Sequence, residues 1–224
     1  MKSELECVSE AFNVFLKYHC RHLVRPDQEL ALLNNAHHTA CVHHQGQKRL
    51  CGLPAIIHPI RVAAMLRDAN FSSIVEAAGL LHDLLEDCPW MKVNNLLDFP
   101  EDVVNLVKAV SKIPLECFHG DRALRNKEYL DRLRDLGQRD PRVVAIKLAD
   151  RLDNLDELLE LDDEEFQTRY IYETEHLYLP LFSEIIETID DSQMKQVLER
   201  WLAQMAEYIE NFKRIKEYNQ TFHV

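Results

Sequence analysis

Only five glycines punctuate this chain of 224 residues, and the apolar residues between them recur at helical spacing. The backbone therefore has few places to turn and no segment that alternates in the manner of a half-buried strand. Residues 4–22, with Leu5, Val8, Ala11, Phe12, Phe15 and Leu16 on one face, read as a first helix. A second is expected from an Asp27 cap to about His44. A third begins at His58-Pro59, with His58 at its cap, and a fourth runs from Ser72 or Ser73 to just before Pro89. Further helices are expected at Val93–Phe99, Glu101–Lys112, Arg122–Leu136 ending near Gly137, from Asp140-Pro141 onward, and over 166–189 and 192–218. The expected fold class is all-α.

With 46% hydrophobic and 29% charged residues the chain belongs with globular proteins rather than disordered or membrane-embedded ones. A net charge of −12 argues against nucleic-acid binding, which needs a basic footprint. Six cysteines without a Cys-x-x-Cys pair read as reduced thiols. No apolar run reaches the roughly 18 residues of a membrane span, and the start lacks a leader-like apolar region, so a cytoplasmic protein without a membrane partner is expected.

Chemistry concentrates in three stretches. In Leu80-Leu-His82-Asp83-Leu-Leu-Glu86-Asp87 a histidine and three carboxylates crowd the end of an apolar helix, which suits a bound cation or, taken alone, the solvated acids of an amphipathic helix end. In Lys147-Leu-Ala-Asp150-Arg151-Leu-Asp153-Asn154, Asp150 emerges from an otherwise apolar face. It needs either a cation or a basic neighbour in a surface pair. In Arg49-Leu-Cys-Gly-Leu-Pro-Ala-Ile-Ile-His58-Pro59 the imidazole is a satisfied buried residue or a ligand. The segment Ile113–Asp121 is a candidate mobile loop or plain connector, and the acidic run Asp156–Glu165 a solvated turn.

In order and content these stretches resemble the HD-domain phosphohydrolases, and within them the hydrolase domain of the RelA/SpoT-type alarmone enzymes. The likeness rests on His44, Gln47 and Arg49, on Gly52-Leu-Pro54-Ala-Ile-Ile-His58-Pro59, and on Leu80-Leu-His82-Asp83-Leu-Leu-Glu86-Asp87. It continues through Phe99, Val103, Leu106-Val107 and Val110-Ser111-Lys112 to Asp140-Pro141-Arg142 with Ile146-Lys147-Leu-Ala-Asp150-Arg151-Leu-Asp-Asn154, and ends at Glu173-Thr174 and Tyr178-Leu-Pro180-Leu181. The resemblance implies an HD-type helical bundle at 36–182, flanked by a helical segment at 1–35 and a helical extension at 183–224.

It also implies a metal-dependent phosphohydrolase that removes the 3′-pyrophosphate of (p)ppGpp-like alarmones with an activated water. His58, His82, Asp83 and Asp150 match the metal ligands, with manganese the usual ion, and mixed imidazole and carboxylate donors suit a divalent transition metal. Glu86 and Asp87 match the acidic pair that orients and deprotonates water. Without a glycine-rich phosphate loop, phosphates fall to the metal and to Lys48, Arg49, Lys147 and Arg151. Arg49 and Asn154 match nucleotide-contacting positions, and Tyr178 one near that pocket. His44 matches a family histidine that shapes the pocket, while His37, His38, His43 and His119 read as solvated or packed. Leu50, Ala55 and Asp153 depart from the family pattern and point to another phosphorylated nucleotide, such as NADPH or a nucleoside phosphate, as an alternative substrate, while the alternative of a non-catalytic nucleotide sensor is opposed by the intact set of His58, His82, Asp83, Glu86, Asp87 and Asp150.

Overall fold

The computed structural model describes residues 25–222, so the helix expected over 4–22 lies outside the described residues. Among those described there is no strand, and one isolated bridge pairs Lys48 with Pro54. The chain forms two compact units, Met1–Lys112 and Ile113–Val224.

The first unit contains α1 (Asp27–His43), α2 (Ile57–Asp68), α3 (Ser73–Leu81), α4 (Leu84–Asp87), a 3-10 turn at Val93–Leu96 and α5 (Glu101–Val110). Its centre is α3, which packs on α1, α2 and α5. Nearly every residue of α3 is buried, as expected of a helix that is apolar all round. One polar residue in it, Glu76, is joined to half-buried Arg25 just ahead of α1, and that pairing ties the start of α1 to α3.

Gly79 sets how closely α2 and α3 approach. A Cβ built on it falls 2.7 Å from Leu66 Cδ1 and 3.6 Å from Ala63 Cα, and Leu66 is fully buried.

Local signals at the helix ends differ from expectation in several places. Pro26 rather than Asp27 occupies the N-cap of α1, so Asp27 contributes as an acid in the first turn. His58 lies inside the first turn of α2, after Ile57, and does not cap it. The helix expected to run from Ser73 towards Pro89 breaks at His82-Asp83. There the His82 carbonyl accepts the Ser111 hydroxyl at 3.2 Å, and the backbone restarts with Asp83 as the cap of α4.

The second unit contains a 3-10 turn at Leu115–Phe118, α6 (Arg122–Arg139), α7 (Pro141–Leu158), α8 (Glu164–Glu173), a π-helical turn at Thr174–Tyr178, α9 (Leu179–Glu187) and α10 (Ser192–Phe222). Its core helix is α7, buried from Val143 through Asp153 and packed on α6, α9 and α10. Asp140 caps α7 by accepting from Arg142 N at 3.1 Å, with Pro141 in the first position as expected. Gly137 does not end α6. It lies within it, where an added Cβ would fall 2.9 Å from Val144 Cγ2 and 3.1 Å from Ile185 Cδ1. Here the missing side chain serves helix contact rather than a turn. The acidic run becomes the α7–α8 connection, in which Asp163 caps α8 through Phe166 N at 2.9 Å.

Two stability measurements follow from this packing. Gly79→Val, which forces two stiff methyl groups against Leu66, is expected to cost about 2 kcal/mol or more in urea unfolding. Burial, with a smaller push from His38, holds His37 down to about 4, and the thiol of Cys41, itself raised to about 11 by burial, lies 3.3 Å from its Nε2. The unfolded chain binds the extra proton between its ordinary value near 6.5 and 4, so this contribution is complete above 6.5 and is lost as pH falls towards 4. His37→Gln should therefore flatten the fall in unfolding midpoint that wild type shows between pH 6.5 and 4.

Candidate active site

In the first unit, α2 delivers His58 from its first turn and His82 caps the C-terminal end of α3, so the close helix approach at Gly79 brings both imidazoles together. Their ring centroids lie 5.0 Å apart, nearly edge to face, and donor nitrogens of the two rings lie within 4.8 Å of each other. Both rings are buried.

His82 Nδ1 lies 2.7 Å from the Gly79 carbonyl. A carbonyl only accepts, so Nδ1 carries the proton and the neutral ring presents an electron pair at Nε2. That Nε2 is 3.1 Å from Asp83 Oδ1, and His58 Nε2 is 3.5 Å from Asp83 Oδ2. A half-buried carboxylate beside two buried imidazole nitrogens is favoured when positive charge joins them, and a divalent ion is a group these donors fit.

One helical step later stand Glu86 and Asp87. Glu86 Oε1 accepts from Lys112 N at 2.9 Å, which anchors that side chain. Partial desolvation, then the charges of Asp83 and Glu86, push the Asp87 carboxyl up to about 6, although its outer face is open to water. Lys48 and Arg49 sit on a tight turn closed by Arg49 N to Leu53 O at 2.8 Å and Ala55 N to Gln47 O at 3.0 Å, with Gly52 at φ +87°. Leu50 at its tip is 71% exposed.

In the second unit Asp150 is buried and doubly held, by Lys147 Nζ at 2.6 Å from Oδ2 and by Asn154 Nδ2 at 2.6 Å from Oδ1. The Lys147–Asp150 pair is thus real but buried, not a surface pair. Arg151 is enclosed: its guanidinium lies 3.3 Å above the Tyr178 ring and 4.7 Å from that of Tyr170, and donates to the Thr174 hydroxyl. Tyr178, also buried, serves as its platform. Asp153 is buried as well.

Among the other histidines, His37 is buried, while His43 Nδ1 accepts from the indole of exposed Trp90 at 3.0 Å. Sequence reasoning passed over Ser111, whose hydroxyl lies 3.2 Å from the His82 carbonyl, and Gly79, whose carbonyl holds the His82 ring. Neither type signals such a role without the tertiary contacts.

A family model described as "HD domain" matches residues 36–184. A probable guanosine-3′,5′-bis(diphosphate) 3′-pyrophosphohydrolase of Mycoplasma genitalium is 38% identical over 133 residues, 57% of this chain and 18% of that protein. A GTP pyrophosphokinase of Brucella melitensis is 34% identical over 157 residues, 70% of this chain and 21% of that one. The chain therefore spans about a fifth of the length of these curated relatives. A solved structure described as a metazoan ortholog of SpoT that hydrolyzes ppGpp shares the fold, with a TM-score of 0.54 and 22% identity over 78% of this chain and 95% of that one. Among the described residues no helix is long and apolar enough to cross a membrane.

Loaded with manganese and desalted, the protein is expected to retain about one ion per chain. Asp83→Asn and His58→Gln should each weaken retention by more than about tenfold in elemental analysis.

Proposed function

Because the chain belongs to the HD-domain family, we propose that it is a metal-dependent phosphohydrolase that removes the 3′-pyrophosphate of a (p)ppGpp-like nucleotide. The observation that carries this reading is the convergence of His58 and His82 on the Asp83 carboxylate, with Asp87 one step on. The curated relatives named for that activity support it.

His58, His82 and Asp83 would hold the ion, and the family pattern adds Asp150, whose carboxylate Lys147 and Asn154 fix in one orientation. A divalent ion there supplies positive charge to the phosphoryl oxygens and makes water acidic enough to react near neutral pH, and manganese is our choice. The rest falls to side chains. Asp87, with its carboxyl near 6, accepts the proton of the attacking water, while Glu86, anchored at Lys112 N, orients that water. The water oxygen bonds to the proximal phosphorus, the bond from that phosphorus to the 3′-oxygen breaks, and pyrophosphate leaves as the 3′-oxygen gains a proton.

Arg49 and Lys48, presented on the rigid turn, bind the nucleotide and its phosphates, and Asn154 adds an amide contact. Lys147, Arg151 and Tyr178 act from inside the fold, since Lys147 is occupied by Asp150 and Arg151 by Thr174 and the two tyrosines. The family's cation after the arginine is replaced by exposed Leu50, so the turn holds a larger apolar surface, and this favours testing NADPH and nucleoside phosphates beside the alarmone.

Manganese-loaded protein offered guanosine tetraphosphate, NADPH and nucleoside phosphates should release pyrophosphate from the first. Asp87→Asn should lower kcat by about 100-fold or more. Release from none of them, or an Asp87→Asn variant as fast as wild type, would remove the catalytic assignment.

A further inference from the structure

His44, directly after α1, is buried, and Asp83, His82 and His58 lie near enough for their charges to act on it. Its Nδ1 lies 2.7 Å from Gln47 Oε1. The orientation of that amide is not open to choice, because Gln47 Nε2 lies 3.0 Å from the Asp87 carbonyl oxygen. Turning the amide over would set oxygen against oxygen at that distance, so Nε2 donates to Asp87 and Oε1 faces His44. The His44 proton is thereby placed on Nδ1. The electron pair of the neutral ring is left on Nε2, which is buried and meets no hydrogen-bond donor among the described residues.

A buried acceptor without a donor forfeits the hydrogen bond it had in water, and folded proteins keep few of them. The ring is already fixed by a bond that chooses its tautomer, and Gln47 is in turn fixed by the turn that carries Arg49, through Gln47 N to the His44 carbonyl at 3.0 Å and Ala55 N to the Gln47 carbonyl at 3.0 Å. We propose that His44 is a water-orienting residue of the site: Gln47 locks it with a bare Nε2, which accepts a hydrogen bond from the water that enters beside Asp83. The same amide then reaches the Asp87 backbone, so one side chain aligns the acceptor at His44 and the base at Asp87. The proposal rests on the hydrolase reading for the purpose of that water, but its geometry is measurable without turnover.

The test uses the full chain with labelled histidines. Long-range proton–nitrogen correlation spectra, with His44 assigned from the signals lost in His44→Gln, should show the Nδ1–H tautomer near neutral pH. Loading with zinc, which is diamagnetic, should move the His44 Nε2 signal upfield as it gains a hydrogen bond, and Gln47→Leu should let both tautomers appear. Manganese-loaded His44→Gln should keep wild-type metal content and a KM within about twofold, while kcat falls about 10- to 100-fold. An Nε2–H tautomer, a signal indifferent to zinc, loss of metal from His44→Gln, or an unchanged kcat in that variant would each overturn the proposal. Should wild type hydrolyse nothing in the panel, the hydrolase reading fails by itself, and the tautomer and the response to zinc still decide whether His44 is an acceptor.

Discussion

The structure of the first unit depends on one close contact between helices. Where α2 crosses α3, Gly79 offers no side chain, and Leu66 fills the space its Cβ would take. The carbonyl of the same residue receives the His82 Nδ1 proton, so a single backbone position sets both the spacing of the two histidines and the face that one of them presents. Packing and ligand chemistry are linked there through geometry, with no charged group needed to enforce it.

The carboxylates show how differently one residue type behaves in different surroundings. Glu76, buried in α3, is held by Arg25, and burial nonetheless pushes its carboxyl up, with the arginine pulling the other way. Asp83 faces nitrogens instead of a basic side chain. Asp150 is matched by Lys147 and Asn154 within its own helix. A chain with a net charge of −12 thus arranges its acids by local partners, and the basic turn at Lys48-Arg49 is a local exception to the overall field that would repel a polyphosphate.

The all-α architecture was legible from periodicity and the scarcity of glycine, because helix-forming segments here are long and their apolar faces regular. The Asp140-Pro141 start was legible for a local reason, since a cap and a fixed φ act within a few residues. What was not legible came from contacts distant in sequence. Ser111 comes within 3.2 Å of the His82 carbonyl from another element where the helix breaks, and Gly137 looked like a terminator because glycine near a helix end usually is one, whereas here it admits Val144 and Ile185. The residues around the site could be named from their order along the chain. The enclosure of Arg151, which a basic residue in a polar stretch does not announce, required the fold.

The π-helical turn at Thr174–Tyr178 has a consequence for that arginine. Successive steps of four residues in an α-helix drift around the axis by about 40° each. Tyr170, Thr174 and Tyr178 are spaced by four, yet all three meet the one guanidinium of Arg151. The wider turn, with more residues per revolution, takes back much of that drift and keeps the third group in line. Arg151 therefore works as a gauge of helical phase. A residue gained or lost between 170 and 178 would rotate Tyr178 off the cation and, with it, the face that α9 turns towards α10.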